Sequence, residues 1–530
     1  VAAPTYATDL TTINACDSNA TPTAWTNLGT GSDATETDYF IHNGACVSKP
    51  FNITAGGLYT DYGSNIAFAS GECYWLWAWF GAPNAMLAEA SGGYQALVGS
   101  SAGNYELWNV MGSDTNPYGG WRCVPVDINN VSPDGTVGTP AGTYRIFGCY
   151  CNTSTGIGKG NPLGIDVIRR GRGELRIAAG DLANGYGTFA GAAAANDAST
   201  ARWGLCQAQD GTYLIQGMLV LGYAAAVDFR DQNKVIIIAN TKKVQSTFNR
   251  IEVRNASSRV DWTNINITAL GTVSRGAFEM IDAADVNLDT CVFTDMDTFI
   301  FLSSASVLGC TFRRCNLVTA SGADFSGSTV ASSTVAADAS ALLWNVATDT
   351  DGKLDDMTFV RGTNSHHAIE LGPNTPSSIT LRGMTVSGFN ASNGQTDSVI
   401  YNNSGKSITI NVTGNSGTIS YKNGTGASTS IVADQRTLTV EVRDEAGALI
   451  TDSTEITIVR ASDLTVLHHE EGSTDGNTSY TYAYSAGEET YINVVSSGLY
   501  VPKTVSPVYL INADQTVAIQ LAPDRTFSNP

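Results

Sequence analysis

The chain has 530 residues, more than one hydrophobic core usually organises, so several domains are expected. Charged residues are 15% of the chain, against roughly 25% in ordinary soluble proteins; Gly, Ala, Ser, Thr and Asn fill the difference, which favours short strands and tight turns over long helices. A net charge of −20 gives no electrostatic ground for binding nucleic acid, and the longest apolar stretches, Tyr74 to Phe80 and Met218 to Val227, fall short of the ~18–20 residues that cross a bilayer.

Residues 1 to about 240 read as a first β region. Val1-Ala2-Ala3-Pro4 lacks the basic end and apolar core of a secretion signal, and a small first residue fits removal of an initiator Met. The expectation is a chain made in a host cytoplasm and not exported by a secretion pathway. The region is aromatic-rich at Tyr74, Trp75, Trp77, Trp79 and Phe80, and turns such as Asn116-Pro-Tyr-Gly-Gly120 punctuate it. In its second half, strands are predicted at Leu175–Ile177, Trp203–Gln207, Thr212–Gly217, Met218–Tyr223, Ala226–Phe229 and Lys234–Ala239. Their alternation suits half-buried antiparallel strands.

Seven of the ten cysteines lie here: Cys16, Cys46, Cys73, Cys123, Cys149, Cys151 and Cys206. The others are Cys291, Cys310 and Cys315. No spacing marks a zinc site, and disulfides and plain buried thiols both stay open. Cys149 and Cys151 should share one face of a strand. Arg169, Arg170, Arg172 and Arg176 flank Gly171 and Gly173. A solvated hairpin meeting a partner subunit is the plain reading of them, and a phosphate site the sharper one. The stretch Trp203 to Asn233 resembles the late strands of concanavalin-A-like jelly rolls, as in laminin-G modules. That family often binds sugar or calcium, but no ligand residue can be matched here.

From about 244 to 432 charges thin out and short apolar pairs recur every ~19–27 residues, the signature of a stacked repeat. Val286-x-Leu288-x-x-Cys291-x-Phe293 has the spacing of Ile379-x-Leu381-x-x-Met384-x-Val386. Leu308-x-Cys310-x-Phe312-x-x-Cys315-x-Leu317, Leu354-x-x-Met357-x-Phe359 and Ile408-x-Ile410-x-Val412 continue the series. Such a unit cannot bury its own apolar face, so neighbours must stack. The expected architecture is a right-handed parallel β-helix with Cys291 and Phe293 over Cys310 and Phe312. Bends at Arg254-Asn255 and Gly388-Phe-Asn390 would take the left-handed backbone.

Residues 434 to 523 carry about seven short strands, including Thr437–Arg443, Glu455–Val459, Ser479–Tyr484, Thr490–Val495 and Gln515–Leu521. They predict a small β-sandwich. Val494 to Leu510, with Gly498-Leu-Tyr-Val-Pro-Lys503, resembles the strand junction of carboxypeptidase-regulatory-like, Ig-like modules, which are usually spacers or adhesion units. Residues 524–530 form a polar tail.

Three groups could carry chemistry. Asp349-Thr-Asp351-Gly352-Lys-Leu-Asp355-Asp356 resembles part of a calcium loop, but it lacks the later bidentate Glu and reads first as a β-turn. Glu279, Asp282, Asp285, Asp289, Asp295 and Asp297 cluster within one or two repeats. A glycosidase would need two such carboxyls ~5–9.5 Å apart, whereas solvated outward positions are the plainer reading. His366-His367 and His468-His469 each point to opposite faces of a strand, which leaves no natural chelate; His42 stands alone. No catalytic, cofactor or metal residue is assigned, no cofactor is expected, and the chain is not expected to be an enzyme.

In layout the whole chain is all-β: a jelly-roll or concanavalin-A-like region, a right-handed parallel β-helix and a small C-terminal β-sandwich. It resembles virion proteins of tailed bacteriophages, such as spikes, fibres and capsid decorations. The resemblance implies a structural appendage on an extracellular particle, built as a homotrimer against other virion proteins. Neither nucleic acid nor membrane insertion enters. The alternative is a tailspike or receptor-binding protein that binds or cleaves a host surface polysaccharide.

Overall fold

The computed structural model describes residues 5–20, 23–29, 31–49, 55–115, 119–153, 163–179, 187–197, 202–238, 249–270, 275–331, 333–433, 435–483, 488–497, 500–511 and 513–524. The expectations placed on Val1–Pro4, Asn116–Tyr118, Ala239, Tyr484, Gly498-Leu499 and 525–530 lie outside them. The chain divides into two compact units, one of residues 1–345 and 360–370, the other of 346–359 and 371–530. Both are built of strands; among the described residues the one α-helix is Phe189–Asp197.

The first unit begins with two antiparallel sheets. One orders Gly120–Val126, Cys73–Phe80, Leu163–Gly171, Cys46–Lys49 and Ala34–Glu36, with Thr11–Asn14 also on Leu163–Gly171. The other orders Gly135–Val137, Asn104–Met111, Tyr94–Ser101, Tyr144–Asn152, Ala55–Ile66 and Trp25–Leu28. Alternation decides the faces. Tyr74, Leu76, Ala78 and Phe80 enter the shared core with Tyr94, Trp108 and Phe147. Buried phenols need partners, and they tie the sheets reciprocally: Tyr74 Oη donates to Gly148 O at 3.1 Å, and Tyr94 Oη to Gly164 O at 2.8 Å. Trp75 and Trp77 point the other way and donate to Gly171 O and Arg202 O.

Beyond Gly171 the pairing turns parallel. Three ladders form, and the chain visits them in rotation. The first runs Glu174–Ala178, Met218–Leu221, Arg250–Val253, Ala277–Met280, Thr298–Leu302, Leu317–Ser321. The second runs Asp228–Gln232, Arg259–Thr263, Asp285–Asp289, Ala305–Leu308. The third runs Thr212–Ile215, Val235–Ile238, Asn266–Ala269, Val292–Thr294, Thr311–Arg313, Thr329–Ala331. In register, interior residues lie above one another: Phe293 pairs with Phe312 at a ring separation of 5.2 Å and 12°. Cys291, Phe293, Cys310 and Phe312 are all fully buried.

Several expectations change here. The strands between 175 and 238 are not antiparallel neighbours. Apart from the hairpin of Cys206–Gln209 with Thr212–Ile215, they belong to the parallel ladders. The stretch likened to concanavalin-A-like strands is therefore spread over all three ladders, and the change of character expected near 240 comes at Gly171–Glu174. Alternation is the same in both kinds of pairing, so it could not tell them apart. The helix Phe189–Asp197 was not expected. Its Ala-rich run favours helix, and Thr188 Oγ1 accepts from Gly191 N at 3.0 Å as an N-cap. Phe189 packs on Phe229 and Trp262 at 5.1 and 5.3 Å, within the aromatic interior.

The second unit has its own parallel ladder, Ser378–Arg382, Ser407–Thr413 and Ser428–Ala433, and pairs Ile400–Asn402 with Tyr421–Asn423. Ile379, Leu381 and Met384 are fully buried as expected, but Val386 is only half-buried, in the middle of the short strand Thr385–Ser387, which is the last strand of its sheet. The last residues form sheets of three and four strands over a core of Leu438, Val440, Ile456, Ile458, Ile492 and Ile519.

Phe312→Ala removes a ring with four aromatic neighbours, so unfolding of the full chain in urea should show the first unit destabilised by about 3–5 kcal/mol. Val386→Ala should cost less. Equal midpoints for Phe312→Ala and the parent would show that the ring is not interior.

Candidate functional site

The outer face of the second antiparallel sheet carries a separate apolar cluster of Tyr59, Leu97, Tyr105, Leu107 and Ile146, with Tyr150 packed against it. Beside it opens a cleft of about 440 Å³ between the strands Tyr94–Ser101, Asn104–Met111 and Tyr144–Asn152 and the turn at Ala90–Gly92. Tyr105 and Tyr150 contribute rings to its wall; Gln95, Asn109, Asn152 and Asp134 contribute polar groups. Those groups hold one another in place. Gln95 Nε2 donates to Asn109 Oδ1 at 2.7 Å, Asn152 Nδ2 to Gln95 Oε1 at 3.4 Å, and Asp134 Oδ2 accepts from Asn109 N at 2.7 Å. Burial raises the pKa of both tyrosines, so their phenols stay neutral.

A second constellation lies over a seam in the other sheet, where two strands meet on Leu163–Gly171. Asp17, His42 and Asp166 each offer a ligand atom, and the three atoms lie within 4.8 Å of one another. Asp17 follows the strand Thr11–Asn14, His42 lies in the loop before Cys46–Lys49, and Asp166 sits in Leu163–Gly171. His42 Nδ1 is 3.4 Å from Asp17 Oδ1. Asp166 is fully buried; its Oδ2 accepts from Ile41 N and His42 N at 2.8 and 2.9 Å, and its Oδ1 has no hydrogen-bond partner. Burial pushes this carboxyl up to about 7 against the pull of those N–H groups, and burial lowers the imidazole of His42.

The residues singled out in the sequence are placed elsewhere. Glu279 faces Arg250 at 3.4 Å, Asp285 lies 3.6 Å from Arg259, and Asp295 is paired with Arg314 at 2.7 Å. Asp282 accepts from Asn255 N and Asp297 from Arg275 N, while Asp289 is exposed at a strand end. This acidic group is thus spread around the ladders. In Asp349–Asp356, Asp349 accepts from Thr380 N, Asp351 pairs with Arg382, and Asp355 accepts from Gly352 N, which makes a braced turn. His366 and His367 are both buried, the latter 3.2 Å from Asp338; His468 and His469 bond to Thr478 and Thr457. The arginines are not a solvated hairpin. Arg169 is buried, donates to Arg202 O at 2.8 Å, and burial brings its pKa down to about 10; Arg176 pairs with Glu174 and lies 4.1 Å from the Tyr223 ring.

No protein-family model and no curated protein matches the chain. Among solved structures, one similar chain is the catalytic domain of a GH87 alpha-1,3-glucanase in complex with tetrasaccharides, at 11% identity and a TM-score of 0.17, covering 77% of this chain and 85% of that one. Another is the Agl-KA catalytic domain, at 9% identity and a TM-score of 0.16, covering 77% and 97%. Both are catalytic domains, and with them the expectation that this chain is not an enzyme is withdrawn. Likenesses this slight assign no reaction to it.

All ten cysteines are buried. Burial raises the thiols of Cys123, Cys149 and Cys315 to about 12. A thiol reagent should therefore find none of the ten in the native chain and all ten in denaturant without reductant. Fewer than ten in denaturant would reveal disulfides.

Proposed function

We propose that this chain is a glycan-binding surface protein that holds a saccharide in the cleft between Tyr105, Tyr150, Gln95, Asn109, Asn152 and Asp134. One observation carries this reading: neutral rings and mutually braced amide and carboxylate groups line the same open cleft. A sugar presents apolar C–H faces beside closely spaced hydroxyls, and it needs both kinds of surface at once. With a net charge of −20 the protein suits a neutral polysaccharide better than a polyanionic one.

In this reading the three rotating ladders are a right-handed parallel β-helix, preceded by a jelly-roll-like pair of sheets and followed by an Ig-like β-sandwich. The strand pairings support it: from Arg250 to Leu308 each turn adds one strand to each ladder, in register with the turn before. That layout is also what supports the setting, an appendage on a tailed-bacteriophage particle assembled as a homotrimer. Sedimentation of a lone 55.7 kDa species at micromolar concentration would remove the trimer from the proposal.

Binding is tested by calorimetric titration with the neutral surface polysaccharide of the natural host. Tyr150→Ala and Asn152→Ala should each weaken it roughly tenfold, about 1.4 kcal/mol, with unchanged circular dichroism. Equal affinity for parent and both variants would sink the cleft as the binding site. Reducing ends released in the same mixtures would add cleavage to binding.

A further inference from the structure

We infer that Asp17, His42 and Asp166 form a binding site for one divalent transition cation of the zinc or manganese type, and that the cation pins the loop carrying His42 to the seam in the sheet. The inference is independent of the glycan reading and concerns the opposite sheet. Three ligand atoms within 4.8 Å of one another can close on a single ion with small side-chain movements, since bonds of ~2.0–2.2 Å to zinc place ligand atoms no more than ~4.4 Å apart. An imidazole in the set turns the choice away from calcium and magnesium, which take oxygen ligands, and towards first-row transition metals.

The second observation is the state of Asp166. Its side chain is fully buried, Oδ2 is occupied by two backbone N–H groups, and Oδ1 has no hydrogen-bond partner. A carboxylate oxygen left in that condition is costly unless something positive meets it. Arg169, three residues on, attracts Asp166 through space, but its Nη1 donates to Arg202 O and Asp166 Oδ1 accepts no hydrogen bond.

The surroundings suit the ion as well. The strand Cys46–Lys49 pairs with Leu163–Ile165, and Thr11–Asn14 pairs with Ile168–Arg170 on the same strand. Asp166 falls in the seam between the two, and the loop with Ile41 and His42 closes over it. Asp17 is braced from outside, where Asn43 Nδ2 donates to its Oδ2 at 3.2 Å, the kind of outer contact that orients a ligand. Side-chain exposures of 12% for His42 and 38% for Asp17 give an ion a way in and leave room for water as a further ligand.

The test is a titration of the full purified chain with Co²⁺, after chelator treatment, read by visible absorption and confirmed by zinc competition. Nitrogen and oxygen ligands give weak d–d bands, whereas a thiolate ligand adds strong charge transfer. Cys16 and Cys46 are therefore reported separately. One equivalent of Co²⁺ without charge transfer is expected, displaced by zinc. His42→Gln and Asp17→Asn, both outside the core, should lose that binding at least tenfold while keeping the parent's circular dichroism. No saturable cobalt signal, a thiolate band, or undiminished binding in the two variants would each overturn the site.

Discussion

In-register hydrogen bonding between parallel strands is the constraint on which most of this structure depends. Once Val260, Val286 and Ala305 are paired one above the next, every side chain on that face has its neighbour fixed about one strand spacing away. Interior positions must then be filled by residues that tolerate copies of themselves. Aromatic rings do this well. Trp262 meets Phe278 at 5.6 Å, Phe278 meets Phe301 at 5.2 Å, and Phe301 meets Phe325 at 5.4 Å, a continuous column with edge and stacked contacts mixed. The same register orders the outside. Asp228, Arg259 and Asp285 lie in one row and Arg230 and Asp261 in the next, so opposite charges alternate up the ladder. Like charges in those rows would repel at every step.

Register also has to survive the corners. Between the second and third ladders, Asn233, Asn264, Thr290 and Gly309 all take positive φ, at 55°, 53°, 52° and 58°. Each donates its backbone N–H to a carbonyl of the next turn, at Thr263, Asp289, Leu308 and Ser326. Asn264 Nδ2 further donates to Asn233 Oδ1 at 2.7 Å, so side chains repeat the pattern. A second such corner holds Asp295 and Arg314, at 57° and 50°, and their ion pair is the side-chain form of the same stacking. That is why an acidic residue read as solvated turns out to be paired.

Much of this was legible because it is local or repeated. The equal spacing of Val286 to Phe293 and Ile379 to Val386 marks stacking, and the inward residues follow from alternation, with Val386 half-buried on the outermost strand of its sheet. The left-handed corner at Asn255 could likewise be read from residue type, and its φ is 69°. What could not be read is whatever depends on which strand lies beside which. Leu175 to Ile177 alternates in the same way whether its neighbour is antiparallel Tyr6 or parallel Val220, and it has both. Asp166 meets His42 across 124 residues and Gln95 meets Asn152 across 57, so neither constellation leaves a motif. Only the lone His42 was visible, without its partners.

The seam at Asp166 is also where the first unit departs furthest from an economical β-sheet. Val167, next in the chain, has φ of 36°, a conformation that a β-branched residue adopts only under strain. The pairing with Cys73–Phe80 shifts register between Asp166 and Ile168. Leu163 to Arg169 are all buried in succession, as are Cys73 to Ala78 on the neighbouring strand, because both faces are covered here. A regular strand here would spare the strain and re-aim the carboxylate. The buried acid, the strained valine and the loop over them are one arrangement, since relieving any of the three exposes or re-aims Asp166. Local cost of this kind, on a strand otherwise packed with Leu163, Ile165 and Ile168, is what a fold tolerates where a side chain must be held in one position for a purpose other than stability.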